Sequence, residues 1–332
     1  MDNLLFNKKF NGKLLLTAEY VVLDGAEAIA LPTTKFGQYL QVRTEHTLCK
    51  GQLKWNSLDA DRNSWFAAKF DSSTDFEILD YSTNSMEIAA TLRKLLQTAR
   101  QLNPSFLQDT KIGVSAQTQI DYPRLWGLGS SSTLVAAVAS WANIDGFELN
   151  RRVFSGSGYD IACAENNQPF LFVLQNKIAA TKPTALPIIL PTISPNILPN
   201  FALTNLIYFI YLDKKQNSRE GIAHYKQLSE DKRATLVPQI SKISRKISAN
   251  SPRITYTEFN DLLDEHEEIL AKALKLDKVK NTHFADYWGT VKSLGAWGGD
   301  FVLATSHRSK EETFAYFFQK GFKTVLTWHE MF

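Results

Sequence analysis

Residues 125–137 read LWGLGSSSTLVAA, and these residue types in this order suit the binding of a polyphosphate. Gly127 and Gly129 let a backbone approach an anion with no Cβ in the way. An Ala/Val-rich helix follows at once, and a helix N-terminus presents unpaired N–H groups and about half a positive charge. Ser130, Ser131 and Ser132 add hydroxyls, one of which can turn a lone pair to a magnesium ion. The same residues also fit an ordinary glycine turn with a serine N-cap. The chain has no GxxxxGK segment, no HRD and no DFG, so neither the P-loop nor the protein-kinase plan for holding a nucleotide applies.

Other chemistries find less support. The histidines (His46, His224, His266, His283, His307 and His329) are scattered, and none sits four residues from another, so a zinc site is not expected. Residues 264–268, DEHEE, lie in a helical pattern with Phe259, Leu262, Leu263, Leu270 and Leu274, and read as a solvated face. Cys49 and Cys163 have no metal-like spacing and read as two buried thiols, with a reducing cytoplasm as the expected compartment. A net charge of +3 without a dense basic block argues against nucleic acid as a partner. No apolar run reaches the roughly 18 residues that span a bilayer, and the first residues lack a signal-peptide core.

The elements that would position the glycine/serine stretch are mixed α and β. KLLLTAEYVVL and ALPTTKFGQYLQVRT read as strands around the turn at Asp24-Gly25, and residues 50–82 as further strands. Residues 86–102 have helical spacing, 111–120 alternate as a strand, and 133–142 form a helix, so the motif joins a strand to a helix. PFLFVLQ (169–175) is a strand. Pro183, Pro187, Pro191, Pro195 and Pro199 then recur every fourth residue, which excludes a helix and reads as an extended inter-domain connection. Beyond it LIYFIYL is a buried strand, 219–228 and 256–275 are helices, HFADYWGTVKSL reads as a helix, FVLAT as a strand, ETFAYFFQKG as a helix and KTVLTWHE as a final strand.

Four segments in order carry a resemblance. NGKLLLTAEYVVLDG (11–25), WGLGSSS (126–132), GSGYDIACA (156–164) and GAWGGDFVLA (295–304) resemble, in turn, the PGKxxxxGEYxVL, GLGSSA, GSGxDxA and GAGGGG patterns of the GHMP kinase superfamily. They look most like its mevalonate and phosphomevalonate kinase branch, and the GYDIA wording like a bacterial subgroup of it. The likeness runs from residue 6 to about 305. It implies an α+β fold of two lobes with the active site between them. The first lobe (1–178) would be ribosomal protein S5 domain 2-like, residues 179–200 would connect, and the second lobe (201–332) would be ferredoxin-like.

The resemblance also implies roles. ATP would lie against Trp126, Gly127, Leu128, Gly129, Ser130, Ser131 and Ser132, with Mg2+ on Ser131. Asp160 would orient or deprotonate the acceptor, and Lys13 would stabilise the transferring phosphoryl group. Glu19, Gly158, Tyr159 and the loop Gly295, Ala296, Trp297, Gly298 and Gly299 would face the acceptor. Ser218 and Arg219 are candidates for an anionic acceptor, since arginine binds phosphate or carboxylate as a fork, and Lys9, Arg124 and Lys215 are further cations. A lysine about 4 Å from a carboxylate stabilises it by roughly 4 kcal/mol at an effective dielectric near 20, so Asp160 beside Lys13 would stay ionised and act mainly by positioning. The pattern departs from the family at Asn11, Ala18 and Trp297, where Pro, Gly and Gly are usual, and Glu148 is the one candidate for a magnesium-binding glutamate. The expected activity is phosphoryl transfer from ATP to mevalonate or 5-phosphomevalonate, by a monomer or homodimer. Diphosphomevalonate decarboxylase and a non-catalytic nucleotide- or metabolite-binding relative are the alternatives.

Overall fold

The computed structural model describes residues 3–108, 112–177, 188–195, 201–214, 218–251, 253–295, 297 and 299–332. The chain divides into two compact units, one of residues 1–12, 36–124 and 128–165, the other of residues 13–35, 125–127 and 166–332. Strands β1 (Leu4–Leu15) and β2 (Ala28–Glu45) supply residues to both.

In the first unit β2 is followed by β3 (Gln52–Leu58), β4 (Ser64–Asp71) and β5 (Glu77–Tyr81). After helix α1 (Met86–Leu102) comes β6 (Gly113–Ile120), and the strand order is β5-β4-β3-β6-β2. β3 pairs with β6 in parallel, and the other pairs are antiparallel. Helices α2 (Ser130–Ala142), α3 (Gly146–Val153) and α4 (Tyr159–Glu165) complete the unit. α1 has the length its spacing predicts, and Ala89, Leu92, Leu95, Leu96 and Ala99 bury one stripe of it. That stripe joins Trp55, Phe66 and Phe70 of the sheet, Phe76 just before β5, and Val135–Ala139 of α2 in one core. α2 is small-residued and buried nearly all round, so it sits inside the unit with only its N-terminal serines exposed.

In the second unit β2 pairs with β7 (Phe170–Lys177), and β7 with β8 (Ile188–Pro195). Pro191 and Pro195 fall on β8, at the end of the strand order, where a missing N–H costs no ladder bond to a further strand. Pro183, Pro187 and Pro199 lie outside the described residues. After α5 (Phe201–Thr204), a four-stranded sheet in the order β10-β11-β9-β12 is made of β9 (Ile207–Tyr211), β10 (Val291–Leu294), β11 (Phe301–Thr305) and β12 (Val325–Thr327). Helices α6 (Ser218–Lys226), α7 (Glu230–Asn250), α8 (Tyr256–Leu274), α9 (Val279–His283), α10 (Lys310–Gln319) and α11 (Trp328–Met331) accompany it.

Several sequence expectations are corrected. TAEYVVL is not a strand: β1 stops at Leu15, Ala18 and Tyr20 take left-handed φ of 69° and 64°, and Val21–Asp24 form a 3₁₀ turn. HFADYWGTVKSL is not one helix: α9 ends on its first residue, His283, and TVKSL contains β10, paired with β11. KTVLTWHE gives a strand of three residues and then α11, started by a Thr327–Glu330 capping box. Cys163 is buried but Cys49 is exposed, in the turn before β3. Among the described residues no helix is long and apolar enough to cross a membrane.

Candidate active site

Arg124–Trp126 form a 3₁₀ turn, and the chain then passes through Gly127 and Gly129 with φ of 67° and 90° into α2. Both glycines occupy the left-handed region that side chains disfavour. Gly129 is the N-cap and has no side chain to offer, so no side chain caps the first turn of α2. Ser132 donates its hydroxyl back to the Gly129 carbonyl at 2.8 Å and is buried, whereas Ser130 and Ser131 are exposed at the same helix end. Leu128 is fully buried and anchors the loop between its glycines. The arrangement leaves N–H groups and two hydroxyls at a positive helix end, which is what an anion requires.

Asp160 lies in the first turn of α4, half-buried, after Gly156 (φ 116°) and Gly158 (φ 84°). Tyr159 opens the same helix. A Cβ on Gly158 would stand 2.8 Å from Phe147, so this approach of chain to ring is open to glycine. α2 and α4 pack on each other, which makes the helices carrying Ser130–Ser132 and Asp160 neighbours within the first unit. Glu148 stands on α3 instead, with its carboxylate taken by Arg151 at 2.6 Å and Arg152 at 2.6 Å. Burial pushes this carboxyl up, but hydrogen bonds from Arg151 and Arg152 outweigh it and hold the group below the ordinary range. Its oxygens are committed to these arginines. Among the described residues no group of three or more His, Cys, Asp or Glu is arranged to hold a metal ion.

The second unit carries Lys13, half-buried near the end of β1, with Trp126 and Gly127. The Trp126 ring meets Phe301 edge-on at 5.4 Å, and the Leu125 carbonyl accepts the Tyr211 hydroxyl at 3.1 Å. Gly127 sits directly on Asp300: a Cβ there would fall 1.9 Å from the carboxylate Oδ2. Asp300 ends the third glycine motif at φ 40°, fixed by backbone bonds to Lys214 and Leu212. Gly295 has φ 75°, Gly299 is buried, and Ala296 and Gly298 lie outside the described residues. Trp297 donates its backbone N–H to Tyr20 Oη at 2.7 Å and its indole N–H to the Asp277 carbonyl at 2.9 Å. Ser218 and Arg219 open α6. Lys9 pairs with Asp121 at 2.9 Å and Arg124 lies over the Trp65 ring at 3.8 Å, while Lys215 lies outside the described residues.

Glu19 does not present its carboxylate to solvent. It is 2% exposed and bound to Lys292 Nζ at 2.5 Å, with His266 Nε2 at 3.3 Å. His266 and Glu267 are equally buried, which corrects the reading of 264–268 as a solvated face at these two residues; Asp264, Glu265 and Glu268 are exposed, as that reading expects. Their neighbour Lys292 comes from β10, the strand that periodicity reads as helix, so no sequence signal paired them. Burial raises the Glu19 and Glu267 carboxyls, the latter to about 7, and lowers His266 well below its ordinary value.

No family model matches the sequence, and no curated protein does. Solved structures do match the fold. The chain is similar to mevalonate kinase from Methanococcus jannaschii, with a TM-score of 0.67 and 14% identity over 97% of this chain and 96% of that one. It is similar to phosphomevalonate kinase from Streptococcus pneumoniae, in complex with phosphomevalonate and AMPPNP, with a TM-score of 0.64 and 16% identity over 97% and 99%. It is similar to galactokinase from Lactococcus lactis, complexed with galactose, with a TM-score of 0.66 and 14% identity over 97% and 92%. At these identities the likeness establishes the fold alone: α+β, shared with these solved structures over nearly the whole chain.

Proposed function

We propose that this protein is an ATP-dependent small-molecule kinase that transfers the γ-phosphoryl group to mevalonate or 5-phosphomevalonate. The observation that carries the reading is the loop at 126–132. Two left-handed glycines lead into a helix whose first turn lacks a side-chain cap and bears exposed Ser130 and Ser131. The kinase fold supports it, as do the segments around Lys13, Asp160 and Gly295–Gly299, in the family's order.

In this reading the 127–132 backbone and the serine hydroxyls bind the phosphates of ATP. Ser131 would hold Mg2+, and the ion would supply charge neutralisation on the transferring group. Asp160 accepts a hydrogen bond from the acceptor hydroxyl, or from the protonated oxygen of an acceptor phosphate, and Lys13 stabilises charge on the equatorial oxygens. A loose transition state asks little of a base, so positioning and electrostatics supply most of the rate. Arg219 and Ser218 at the start of α6 and the Gly295–Gly299 loop bind the acceptor. ADP formation from Mg·ATP with each acceptor tests the reading, and ATP binding without turnover on either would overturn it.

A further inference from the structure

The buried ionisable cluster of the second unit has no part in the mechanism above, and its geometry points to one. Glu19 stands between two residues in left-handed backbone, Ala18 (φ 69°) and Tyr20 (φ 64°), a course that non-glycine residues hold only when their surroundings over-determine it. The surroundings do so from three sides. His266 Nε2, on α8, accepts the Ala18 N–H at 2.9 Å. Lys292 Nζ, on β10, binds Glu19 Oε1 at 2.5 Å and donates to the Ser293 carbonyl at 2.9 Å. Tyr20 stacks on Tyr225 of α6, and a Cβ on Gly221 of that helix would lie 2.5 Å from Tyr20 Oη. The same Oη accepts the Trp297 N–H of the third glycine motif.

We propose that Lys292, Glu19 and His266 are positioning residues, which lock residues 18–20 in this course and, through the Tyr20 hydroxyl, hold both Trp297 and α6 in the geometry that receives the acceptor. Glu19 thus acts through Lys292 and the backbone, not by touching substrate. The acceptor role rests on the kinase reading; the locking itself does not.

Charge balance fixes the protonation pattern. A His266 that accepts the Ala18 N–H at Nε2 is neutral and carries its proton on Nδ1. Lys292 then faces two carboxylates, Glu19 in contact and Glu267 Oε1 at 3.6 Å, too far for a hydrogen bond. Both Glu267 oxygens lack a hydrogen-bond partner, so Glu267 is the carboxyl that stays neutral. The groups facing it are Lys292 and Ser293 of β10, and Glu19. Its ionisation near neutral pH would leave the buried cluster with an uncompensated negative charge.

Amide hydrogen exchange on the full chain tests the locking without any substrate. In Lys292→Met, protection of peptides covering 16–21 and 294–301 should fall by about ten-fold or more, while β9 keeps its protection. Glu19→Gln/Lys292→Met removes the lone charge, so it should recover the melting temperature lost in Lys292→Met but not the protection. Wild-type protection at 294–301 in folded Lys292→Met, or full recovery in the double variant, would overturn the proposal. If Lys292→Met fails to fold, Glu267→Gln decides. Wild-type protection should fall between about pH 6 and pH 8, and Glu267→Gln should abolish that fall; an unchanged pH dependence would overturn it. In turnover, Lys292→Met should raise the acceptor KM by about ten-fold and leave the ATP KM within about two-fold. Loss of protection without turnover in the wild type would sink the kinase reading and leave the locking intact.

Discussion

Gly127→Ala tests the phosphate loop at its tightest point. The left-handed backbone alone costs a residue with a Cβ about 1–2 kcal/mol. The larger effect is steric. The new Cβ would stand 1.9 Å from Asp300 Oδ2 and 2.3 Å from its Cγ. The Asp300 backbone is held, because its N–H donates to the Lys214 carbonyl at 2.9 Å and its carbonyl accepts the Leu212 N–H at 2.8 Å, so the clash is relieved by rotating the Asp300 side chain or by shifting the loop. Where the loop gives way, restoring an ordinary contact of about 3.5 Å moves it by more than about 1 Å, and a misplacement of that size costs on the order of 10²-fold. Mg·ATP affinity should therefore fall about 100-fold, or about 2.7 kcal/mol, by isothermal titration calorimetry. Gly127→Ala/Asp300→Gly removes the clash and leaves the backbone strain, so its affinity should return to within about ten-fold of wild type. Affinity within two-fold of wild type in the single variant, or no recovery in the double, would refute the argument.

Three further outcomes follow from the site. Asp160→Asn should lower kcat by on the order of 10²–10⁴-fold with an unchanged melting curve, and wild-type turnover would remove Asp160 from the mechanism. Glu148→Gln should leave the Mg2+ dependence of turnover unchanged and alter stability by less than about 1 kcal/mol, since it loses a half-exposed ion pair; a raised Mg2+ requirement would speak for a metal role. Glu267, raised from 4.5 to about 7, binds more protons folded than unfolded, so its contribution is complete below about pH 4.5 and is lost as pH rises to about 7. Urea denaturation should show wild type losing about 3 kcal/mol across that window relative to Glu267→Gln, and parallel curves would contradict it. The lowered His266 acts oppositely, losing stability as pH falls below its ordinary 6.5, and cancels in this comparison because both proteins carry it.

Local signals carried much of the fold. The apolar spacing of 86–102 marks α1, and LIYFIYL contains β9, whose residues Ile207–Tyr211 are all buried. The glycines of 125–137 sit where positive φ is needed, and the helix begins at Ser130. What escaped is set by tertiary pairing. β10 is buried on both faces and shows no alternation, so TVKSL after a helical run reads as more helix. His266 and Glu267 look like solvent-facing members of DEHEE because Lys292, which neutralises Glu19 beside them, comes from another element. Ala18 and Tyr20 carry no sign of left-handed backbone, which is imposed by His266, Lys292 and Trp297. The close contact of Gly127 with Asp300 joins two separate motifs and is visible only once the chain is folded.

The most direct test of the central claim is ADP release from Mg·ATP by the purified full chain, with mevalonate and then with 5-phosphomevalonate, using Asp160→Asn as control. Turnover with one acceptor, lost in the control, is the predicted result. Nucleotide binding with no ADP formed from either acceptor would contradict it.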